Sequence, residues 1–532
     1  MPYNTWFYLL PFLGTSLLIY YLMPPRHRWT VLLCASILFY MIASGRLILV
    51  LAFTTLVIWG GALRIEAHRK TYLEIKDTLP KNERKEHKAR MERQNARVVF
   101  AACVIILGIL FFTKYYNFVG SNLNLLMKSL HIGARIPALR LVMPLGISFY
   151  TLSAVSYVTD VSRERCPAER NFFRLFLFLI FFPVITEGPI SRYQQLGTEL
   201  KTEHRFDYQE FCFGAQLIVW GLIQKVIFAD WLNRYVREVF KYYKNYSGII
   251  VVLGMLIYTF QIYMDFDGCV NIARGSAQMF GIRLTENFRQ PFFSTSAAEF
   301  WRRWHISLGA WLKDYVFYPI SLSRFFQKLS KACRKHMNRY YASAVPTSAA
   351  LLGVWLGNGI WHGAEWKYIF YGIYYYIILF ASRMLEPVFD KICAKLKIDR
   401  KRKAWHHFQV ARTFVIVNIG MLIFRAENLG AAGYMLKSMF VPWDAGEYGS
   451  LLRWSKIECN YAAAVWAGMV VAVILVFFVG LAHEKGIRIR ESIATMPVCL
   501  RWTIYMGAVL AVVIFGAYGP GFGEIDFIYA GF

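Results

Sequence analysis

Long apolar runs separated by charged segments cover most of the chain. A helix needs roughly 20 predominantly apolar residues to cross ~30 Å of hydrocarbon, and fewer when aromatic or long basic side chains flank it. About a dozen transmembrane helices are therefore predicted: 6–23, 29–43, 47–63, 98–112, 141–158, 172–185, 211–228, 249–263, 368–383, 408–424, 461–481 and 502–518. Segment 6–23 lacks a basic region before it and a small-residue cleavage site, so we interpret it as a retained span.

The composition supports the same class. Hydrophobic residues make up 57% of the chain and charged residues 17%, and the mean hydropathy is +0.37, which excludes an ordinary soluble enzyme. No linker, low-complexity tract or fixed-period repeat divides the sequence. We therefore expect an all-α, polytopic membrane protein with one integral domain, 1–532, that also contains buried and interfacial helices.

The net charge of +27 comes from basic residues that cluster between the apolar runs. The clusters are 64–97, 324–339, 391–403 and 485–501. Because Lys and Arg concentrate in cytoplasmic loops, all four are expected inside, with the N-terminus outside. We interpret them as orientation signals that also attract anionic lipid. Docking of an acidic carrier protein or a nucleotide-bearing donor is the alternative for segments such as the amphipathic insert 64–97, and no nucleic acid is expected.

Nine cysteines are scattered without a close pair. Neither a disulfide framework nor a metal site follows from that pattern, and their apolar neighbours indicate small buried side chains. No metal and no bound cofactor are predicted.

The stretch 258–363 differs from both ends of the chain. It mixes aromatic, small, charged and proline residues too densely for simple lipid-facing helices. Polar or irregular backbone at membrane depth is tolerated only where protein or a water-filled cavity surrounds it, so this stretch is predicted to line a cavity. Within it, Asp265, Asp267, Asn271 and Arg274 follow an apolar helix. The carboxylates either orient an imidazole or form a structural Asp–Arg pair, and the sequence leaves both open.

Two histidines among tryptophans are the candidates for chemistry, because an imidazole exchanges protons near neutral pH. His305 lies in a segment whose apolar residues recur at three- and four-residue intervals, which predicts one amphipathic interfacial helix over 301–315. On this pattern alone His305 is equally an interfacial or a functional histidine. The supporting candidates around it are Trp301, Arg302, Arg303, Trp304, Trp311 and Asp314.

The second histidine, His362, has a stronger functional indication. Asn358 and Trp361 accompany it, and Gly357, Gly359 and Gly363 remove side chains nearby, which lets a substrate or another backbone approach closely. Transporters place proton-relay histidines in similar settings, so the pattern alone does not define a reaction.

In combination, these residues and several other strings resemble the membrane-bound O-acyltransferases, in the bacterial branch that holds the alginate O-acetyltransferase membrane subunit and the teichoic-acid D-alanyl transfer protein. The strongest string is Phe-Trp-Arg-Arg-Trp-His-Ile-Ser-Leu at 300–308, and Trp-His-Gly at 361–363 completes the set. The other matching strings lie at 144–150, 156–161, 182–190, 263–268, 286–288, 423–428 and 527–529.

The resemblance implies a ring of helices around a tunnel and acyl transfer through it. His362 corresponds to the family's invariant histidine and His305 to its second polar position. The family's donor is a cytoplasmic thioester, here acetyl-CoA or an acyl-carrier thioester. The acceptor is an envelope polysaccharide hydroxyl or an extracytoplasmic serine-hydrolase-like partner, and the expected location is the bacterial cytoplasmic (inner) membrane.

Two departures and two alternatives accompany this interpretation. Asp267 stands where the alginate type is expected to have serine, and the insert 64–97 is longer than usual. D-alanyl transfer to teichoic acid is the alternative within the family. A transporter or flippase with a histidine proton relay is the alternative from another class, although no repeated pair of Gly/Pro-broken spans supports it.

Overall fold

The computed structural model describes residues 2–442, 444, 446, 447, 449 and 462–518. Helices dominate this part of the chain, and its one strand-like feature is an isolated antiparallel bridge between Phe288 and Trp304. The all-α prediction is confirmed. Three features of the sequence analysis lie outside the described residues: the matching string at 527–529, the first residue of predicted span 461–481, and Cys459. The eight described cysteines are free thiols.

The described α-helices are numbered in chain order. They are α1 (Leu13–Leu22), α2 (Arg28–Ser44), α3 (Ile48–Lys76), α4 (Lys81–Ser129), α5 (Ile147–Ser162), α6 (Phe172–Ile180), α7 (Tyr208–Leu222), α8 (Asp230–Lys241), α9 (Gly248–Met279), α10 (Ala297–Arg303), α11 (Ile306–Leu312), α12 (Tyr318–Ser321), α13 (Arg324–His336), α14 (Arg339–His362), α15 (Trp366–Lys395), α16 (Lys403–Arg425), α17 (Leu429–Ser438), α18 (Ala462–Glu484), α19 (Ile489–Ala494) and α20 (Val498–Phe515).

Short helical segments of other types join several of these. The π-helical ones are Tyr8–Phe12, Tyr193–Gly197, Ile223–Ala229 and Lys313–Phe317, and the 3₁₀ ones are Pro25–His27, Gly45–Leu47, Tyr243–Asn245 and Pro291–Phe293.

Seven helical stretches of the described chain are long and apolar enough to cross a membrane. They are Pro25–Lys76, Lys81–Ser129, Tyr208–Lys241, Gly248–Met279, Trp366–Lys395, Lys403–Arg425 and Val498–Phe515, and shorter apolar helices occupy Tyr8–Leu22 and Val470–Glu484. The protein is therefore a multi-pass membrane protein. The ring around a tunnel stays a prediction.

Two predicted spans differ from the helices that form. Segment 172–185 yields only the nine-residue α6, roughly 14 Å long and too short to cross a bilayer. Segment 141–158 yields α5, which begins at Ile147. Both are buried rather than lipid-facing: all six residues from Leu175 to Ile180 are buried. A hydrophobic run covered by protein has the same composition as one covered by lipid, so composition alone did not separate them.

Contacts within the chain group into two compact units. Among the described residues, unit 1 comprises 2–215 and 273–285, and unit 2 comprises 216–272 and 286–518. The prediction of one integral domain with 258–363 as its catalytic core stays a prediction.

Unit 1 has an aromatic core. The rings of Tyr8, Phe12, Phe39 and Phe182 pack mainly edge to face or tilted, with centroids 5.2–6.3 Å apart. The Tyr8 hydroxyl also donates to Ser276 Oγ at 2.9 Å. Each buried hydroxyl in such a core needs a partner, and this bond satisfies one of them.

The charged segment 64–97 is a helical hairpin in unit 1. It consists of the last turns of α3, a turn at 77–80 and the first turns of α4. A 3.0 Å hydrogen bond between His68 Nδ1 and Asn95 Oδ1 links the two helices. The predicted insert thus continues two apolar helices rather than forming a separate element.

Unit 2 contains an unusually close helix pair, α14 and α15. A Cβ atom on Gly359 would lie 2.4 Å from the Tyr368 carbonyl oxygen, and one on Gly372 would lie 2.3 Å from the Trp355 carbonyl oxygen. Any side chain at either position would clash with backbone, so the two helices pack backbone to backbone. This contact fixes the end of α14, where His362 lies.

Candidate active site

His305 lies at a break between two helices, and the predicted continuous helix over 301–315 is wrong. Helix α10 ends at Arg303 and α11 begins at Ile306. His305 itself has φ +48° and ψ +52°, in the left-handed region. A residue with a Cβ pays about 1–3 kcal/mol for that conformation, and such residues cluster at functional sites. The periodic pattern concealed the break because both helices continue the same apolar spacing.

The segment 286–289 runs beside the break and holds it. Ile306 donates its N–H to the Asn287 carbonyl at 2.9 Å, and Arg289 donates to the Arg303 carbonyl at 2.9 Å. The Asn287 side-chain oxygen accepts from both the N–H and the hydroxyl of Ser307, at 3.0 and 2.9 Å. Asn287 therefore accepts hydrogen bonds from the backbone N–H groups that begin α11, as the side chain of an N-cap residue ordinarily does.

The same side chain reaches the His305 ring. Asn287 Oδ1 lies 3.3 Å from His305 Nδ1, so a proton on Nδ1 would be donated to this oxygen and leave Nε2 as the basic nitrogen. The imidazole is buried, with 3% of its residue surface exposed. The Phe266 ring packs against it edge to face with centroids 4.8 Å apart. The ring orientation is thus fixed from two sides.

His362 is the last residue of α14. It is 3% exposed, and the Phe424 and Tyr371 rings meet its imidazole edge to face, at 5.1 and 5.9 Å between centroids. A Cβ on Gly363 would lie 2.3 Å from the Tyr368 ring. The predicted close approach of another backbone is confirmed at Gly359, whereas a side-chain ring fills the space at Gly363. Gly357 has only an ordinary contact with Leu312.

Trp361 brings the two histidines together. Its indole lies 5.6 Å from the His305 ring and 5.0 Å from the His362 ring, both as centroid distances. Two imidazoles far apart in sequence thus share one aromatic neighbour in unit 2. All three side chains are buried, so water has little access to the rings.

Asn358 lies one helical turn before His362. Residues four apart on a helix are on the same face, so the amide points to the side of α14 that carries His362. Asn358 is 5% exposed, and its side chain makes no hydrogen bond to any described residue. A buried amide with unused donors and an acceptor is a candidate for holding a substrate oxygen.

The remaining predicted residues of 301–314 have different surroundings. Trp304 is buried and pairs with Phe288 in the isolated bridge. Trp301 packs on Trp355 and Tyr375 at 5.0 and 4.8 Å. The Trp301 indole thus holds α10 against α14 and α15.

The charged residues among the predicted site residues of 301–314 lie toward the surface. Arg302 is exposed and Asp314 is half-buried, in the π-helical segment after α11. Arg303 pairs with Glu299 at 2.8 Å and also with Glu484. Trp311 is buried, and its ring packs on Tyr315 in a tilted arrangement with centroids 5.2 Å apart. Arg303 thus has a structural ion pair, while the roles of Arg302 and Asp314 stay predictions.

The carboxylates of α9 belong to a second polar group in unit 2. Asp265 contacts Lys225 Nζ at 2.6 Å, and Lys225 also contacts Asp230 at 2.8 Å. The cation beside Asp265 is thus a lysine that the sequence analysis did not single out. A lysine within predicted span 211–228 was the available signal, since ionisable groups in spans are rare and need partners.

Asp267 and Asn271 are linked to this polar group through the side-chain amide of Gln224, the residue before Lys225. Gln224 donates to Asp267 Oδ2 at 2.8 Å, and Asn271 donates to Gln224 Oε1 at 2.9 Å. Gln224 and Lys225 lie in the π-helical segment Ile223–Ala229, a helix type that is often found at functional sites.

Chemically, the imidazole pair suits proton transfer to or from a buried reacting group. One imidazole can take a proton from a hydroxyl while the other fixes the geometry of the reacting groups. The described residues contain no cluster of three or more metal-ligating side chains.

Comparison with known proteins agrees with the resemblance. The family model of the membrane-bound O-acyltransferases matches residues 86–332, which include His305. A probable alginate O-acetylase of Pseudomonas syringae pv. tomato is 31% identical over 91% of this chain and 81% of its own length.

Other relatives are named for different acyl transfers. A peptidoglycan O-acetyltransferase of Helicobacter pylori is 30% identical over 62% of both chains. A teichoic acid D-alanyltransferase of Bacillus subtilis is 28% identical over 64% of this chain and 80% of its own. Together with the family match and the multi-pass helices, these similarities identify the chain as an enzyme: it belongs to the membrane-bound O-acyltransferase family.

Proposed function

We propose that this acyltransferase moves an acetyl group from a thioester donor at the cytoplasmic side of a bacterial inner membrane to a hydroxyl of an envelope polysaccharide. The observation that carries the proposal is the contact of two buried imidazoles, His305 and His362, with the single indole of Trp361. Acyl transfer from sulfur to oxygen needs a base and a fixed geometry of the reacting groups, and the pair supplies one residue for each role.

In the proposed reaction the acceptor hydroxyl oxygen bonds to the thioester carbonyl carbon, and the carbon–sulfur bond breaks. His362 takes the hydroxyl proton and returns it to the departing thiolate, so an ester and a thiol result. His305 fixes the geometry of the site: its Nδ1 faces Asn287 Oδ1, and its buried imidazole stays neutral because burial disfavours the charged form. The carbonyl oxygen, which becomes negative in the tetrahedral intermediate, takes its hydrogen bond from a donor other than His305.

Asn358 gives the substrate a second polar contact. Its amide lies one turn before His362 on α14 and can donate to the carbonyl oxygen or accept from the acceptor hydroxyl. The dry surroundings strengthen these interactions, because charges and dipoles act more strongly where water is excluded.

The relatives support acetyl as the group that is moved. The probable alginate O-acetylase is similar over 91% of this chain, whereas the D-alanyltransferase of Bacillus subtilis is similar over 64%. The donor would then be acetyl-CoA, or else an acyl-carrier thioester. The acceptor would be the polysaccharide itself or an extracytoplasmic serine-hydrolase-like partner that passes the group on.

The test is transfer of radiolabel from acetyl-CoA into envelope polymer by membranes that carry the wild-type chain or the His362→Ala variant at matched expression. His407, an exposed histidine of α16, supplies the control His407→Ala. We expect label with wild type and control. With His362→Ala the label should fall by about 10²–10⁴-fold, the usual contribution of a positioned proton-transfer group.

The other outcomes separate the alternatives. Label that appears only from a carrier-bound D-alanyl donor would move the assignment to the D-alanyl reaction. Equal transfer by wild type and His362→Ala with every donor would refute the catalytic role of His362. Passage of a chemically unchanged substrate, without ester formation, would support the transporter alternative.

A further inference from the structure

A basic cavity in unit 1 has no part in the proposed reaction. It lies where the turn between α1 and α2 meets the first turn of α6 and the loop 199–204, and its volume is about 130 Å³. One water needs ~10–15 Å³ by this measure, so the cavity holds several waters or one small anionic group.

The lining carries more positive than negative charge. Four of its side chains are cationic, and two, Glu199 and Glu203, are carboxylates. The cationic ones are Arg26, Arg28, Arg174 and Lys201. Lys201 pairs with Glu169, whereas none of the three arginines has a carboxylate partner among the described residues. Three guanidinium charges therefore remain available to an anion.

Arg28 is held in place by neutral groups. Arg28 donates to the carbonyl oxygens of Met23 and Tyr21 at 3.1 and 3.3 Å and to that of His204. These bonds fix its guanidinium without neutralising the charge. Its carbon Cζ also lies 5.2 Å from the Tyr20 ring. A cation held rigidly by neutral groups loses little freedom when an anion binds.

Arg174 gives the more specific indication that the cavity binds a hydrogen-bond acceptor. Its guanidinium stacks over the Trp29 ring at 5.3 Å. Its Nε is buried and has no hydrogen-bond partner in the part of the chain that the structure describes. A buried donor that lacks a partner destabilises the protein, and a bound acceptor would remove that cost. Arg26 is exposed beside the cavity and extends its positive lining.

The position of the cavity points to the membrane surface. Arg26 and Arg28 follow the first apolar helix, at the end predicted to be cytoplasmic. Next to them Leu22 is 76% exposed and Met23 is 40% exposed, so apolar surface continues directly from the basic lining. A ligand with a phosphate and an acyl chain would meet both surfaces.

We propose that this cavity binds a phosphate group, and specifically the phosphodiester headgroup of an anionic phospholipid on the cytoplasmic face. Guanidinium groups match phosphate oxygens with paired, charge-assisted hydrogen bonds. The modest charge excess, three guanidinium groups against two carboxylates once Lys201 is paired with Glu169, suits one phosphate better than a polyphosphate. The inference does not depend on acyl transfer, and binding tests it without activity.

The experiment uses the full chain purified in detergent, with thermal unfolding as the readout of binding. The probes are phosphatidylglycerol and phosphatidylcholine in mixed micelles, inorganic phosphate, and coenzyme A. The variants are Arg174→Gln and Arg26→Gln. The control is Arg93→Gln, which removes the same charge from an exposed position of α4.

Phosphatidylglycerol should raise the unfolding temperature of the wild type and of Arg93→Gln, and phosphatidylcholine should not. Affinity should fall about tenfold or more in Arg174→Gln, since hydrogen bonds to charged groups contribute about that much. A fall should also occur in Arg26→Gln, whose exposed position leaves folding intact. If inorganic phosphate or coenzyme A stabilises with the same arginine dependence and the lipid does not, the site binds phosphate from a soluble source.

Equal stabilisation of Arg93→Gln, Arg26→Gln and Arg174→Gln by every probe would overturn the proposal. Absence of stabilisation by all phosphate-bearing probes in the wild type would do the same. If Arg174→Gln does not fold, Arg26→Gln decides the outcome alone.

Discussion

Unit 2 contains two buried polar groups that differ in their neighbours. The imidazoles of His305 and His362 pack on aromatic rings, with Phe266, Trp361 and Phe424 at 4.8–5.6 Å. Lys225, by contrast, contacts the carboxylates of Asp265 and Asp230 at 2.6 and 2.8 Å. One group consists of titratable rings in an apolar setting, and the other of opposite charges in direct contact.

The difference indicates which group serves chemistry and which serves the fold. An ammonium between two carboxylates is held in one protonation state, and its removal leaves two buried charges. The aromatic rings around the imidazoles carry no opposite charge that would hold a proton on them. Under the proposed function we therefore expect proton transfer at the histidines and structural support from the lysine cluster, which consists of Lys225, Asp230 and Asp265. Mutation of each group should separate activity from stability.

The largest effect is expected at His362. The variant His362→Gln keeps a polar side chain of similar size but cannot exchange protons near neutral pH, so acyl transfer should fall about 10²–10⁴-fold. The unfolding temperature should change little, because the Phe424 and Tyr371 contacts can persist. Radiolabel transfer and thermal unfolding of the same purified sample measure the two quantities. Loss of both together would assign His362 to the fold instead.

The lysine cluster should behave in the opposite way. Lys225→Met removes the cation between Asp230 and Asp265, and breaking a buried ion pair costs about 3–5 kcal/mol. We expect less folded protein and a lower unfolding temperature, with near-normal activity per folded molecule. Adding Asp230→Asn and Asp265→Asn should restore much of the stability, since no buried charge then remains. A stable but inactive Lys225→Met variant would place the cluster in the reaction.

An intermediate effect is expected at Asn287, which positions His305 and does not itself react. Asn287→Ala removes the oxygen near His305 Nδ1 and the two bonds to Ser307. A small misplacement of a reacting group costs about 10²-fold, so kcat should fall while KM changes little. Asn287→Asp, which keeps an acceptor for Ser307, should recover part of kcat. Equal loss in both variants, with a matching loss of stability, would indicate a structural role.

The sequence predicted the class of this fold better than its details. Apolar runs identify helices because the bilayer excludes unpaired backbone, and the two histidines stood out among tryptophans and glycines. The break at His305 was missed, since a left-handed residue between two helices does not disturb the apolar spacing. The short α6 was taken for a span because burial in protein and burial in lipid select the same residues.

The contacts that assemble the site were harder to foresee. Asn287 lies 18 positions before His305, and Lys225 lies 40 positions before Asp265. No local pattern reports which of several polar residues will meet across two helices. The shared contact with Trp361 depends on how α14 and α11 pack, which only the structure supplies.

The smallest effect is expected at a third charged group, near the surface of unit 1. Glu169 accepts a hydrogen bond from the Tyr193 hydroxyl at 2.6 Å and pairs with Lys201. Burial raises the pKa of Glu169, but the bonds from Lys201 and Tyr193 outweigh it and hold the pKa below its usual 4.5. Because the pKa is lowered on folding, the carboxylate stabilises the protein above the unfolded-state pKa. That contribution is lost as the pH falls through the lowered value.

Glu169→Gln should therefore lower the unfolding temperature at neutral pH only slightly, by the equivalent of about 1 kcal/mol or less, since Lys201 is partly exposed. The difference between variant and wild type should shrink as the pH falls below 4.5. Unfolding temperatures of both proteins from pH 7 downward measure this. A difference that persists unchanged at the lowest pH would mean that Glu169 stabilises the protein through packing and not through its charge.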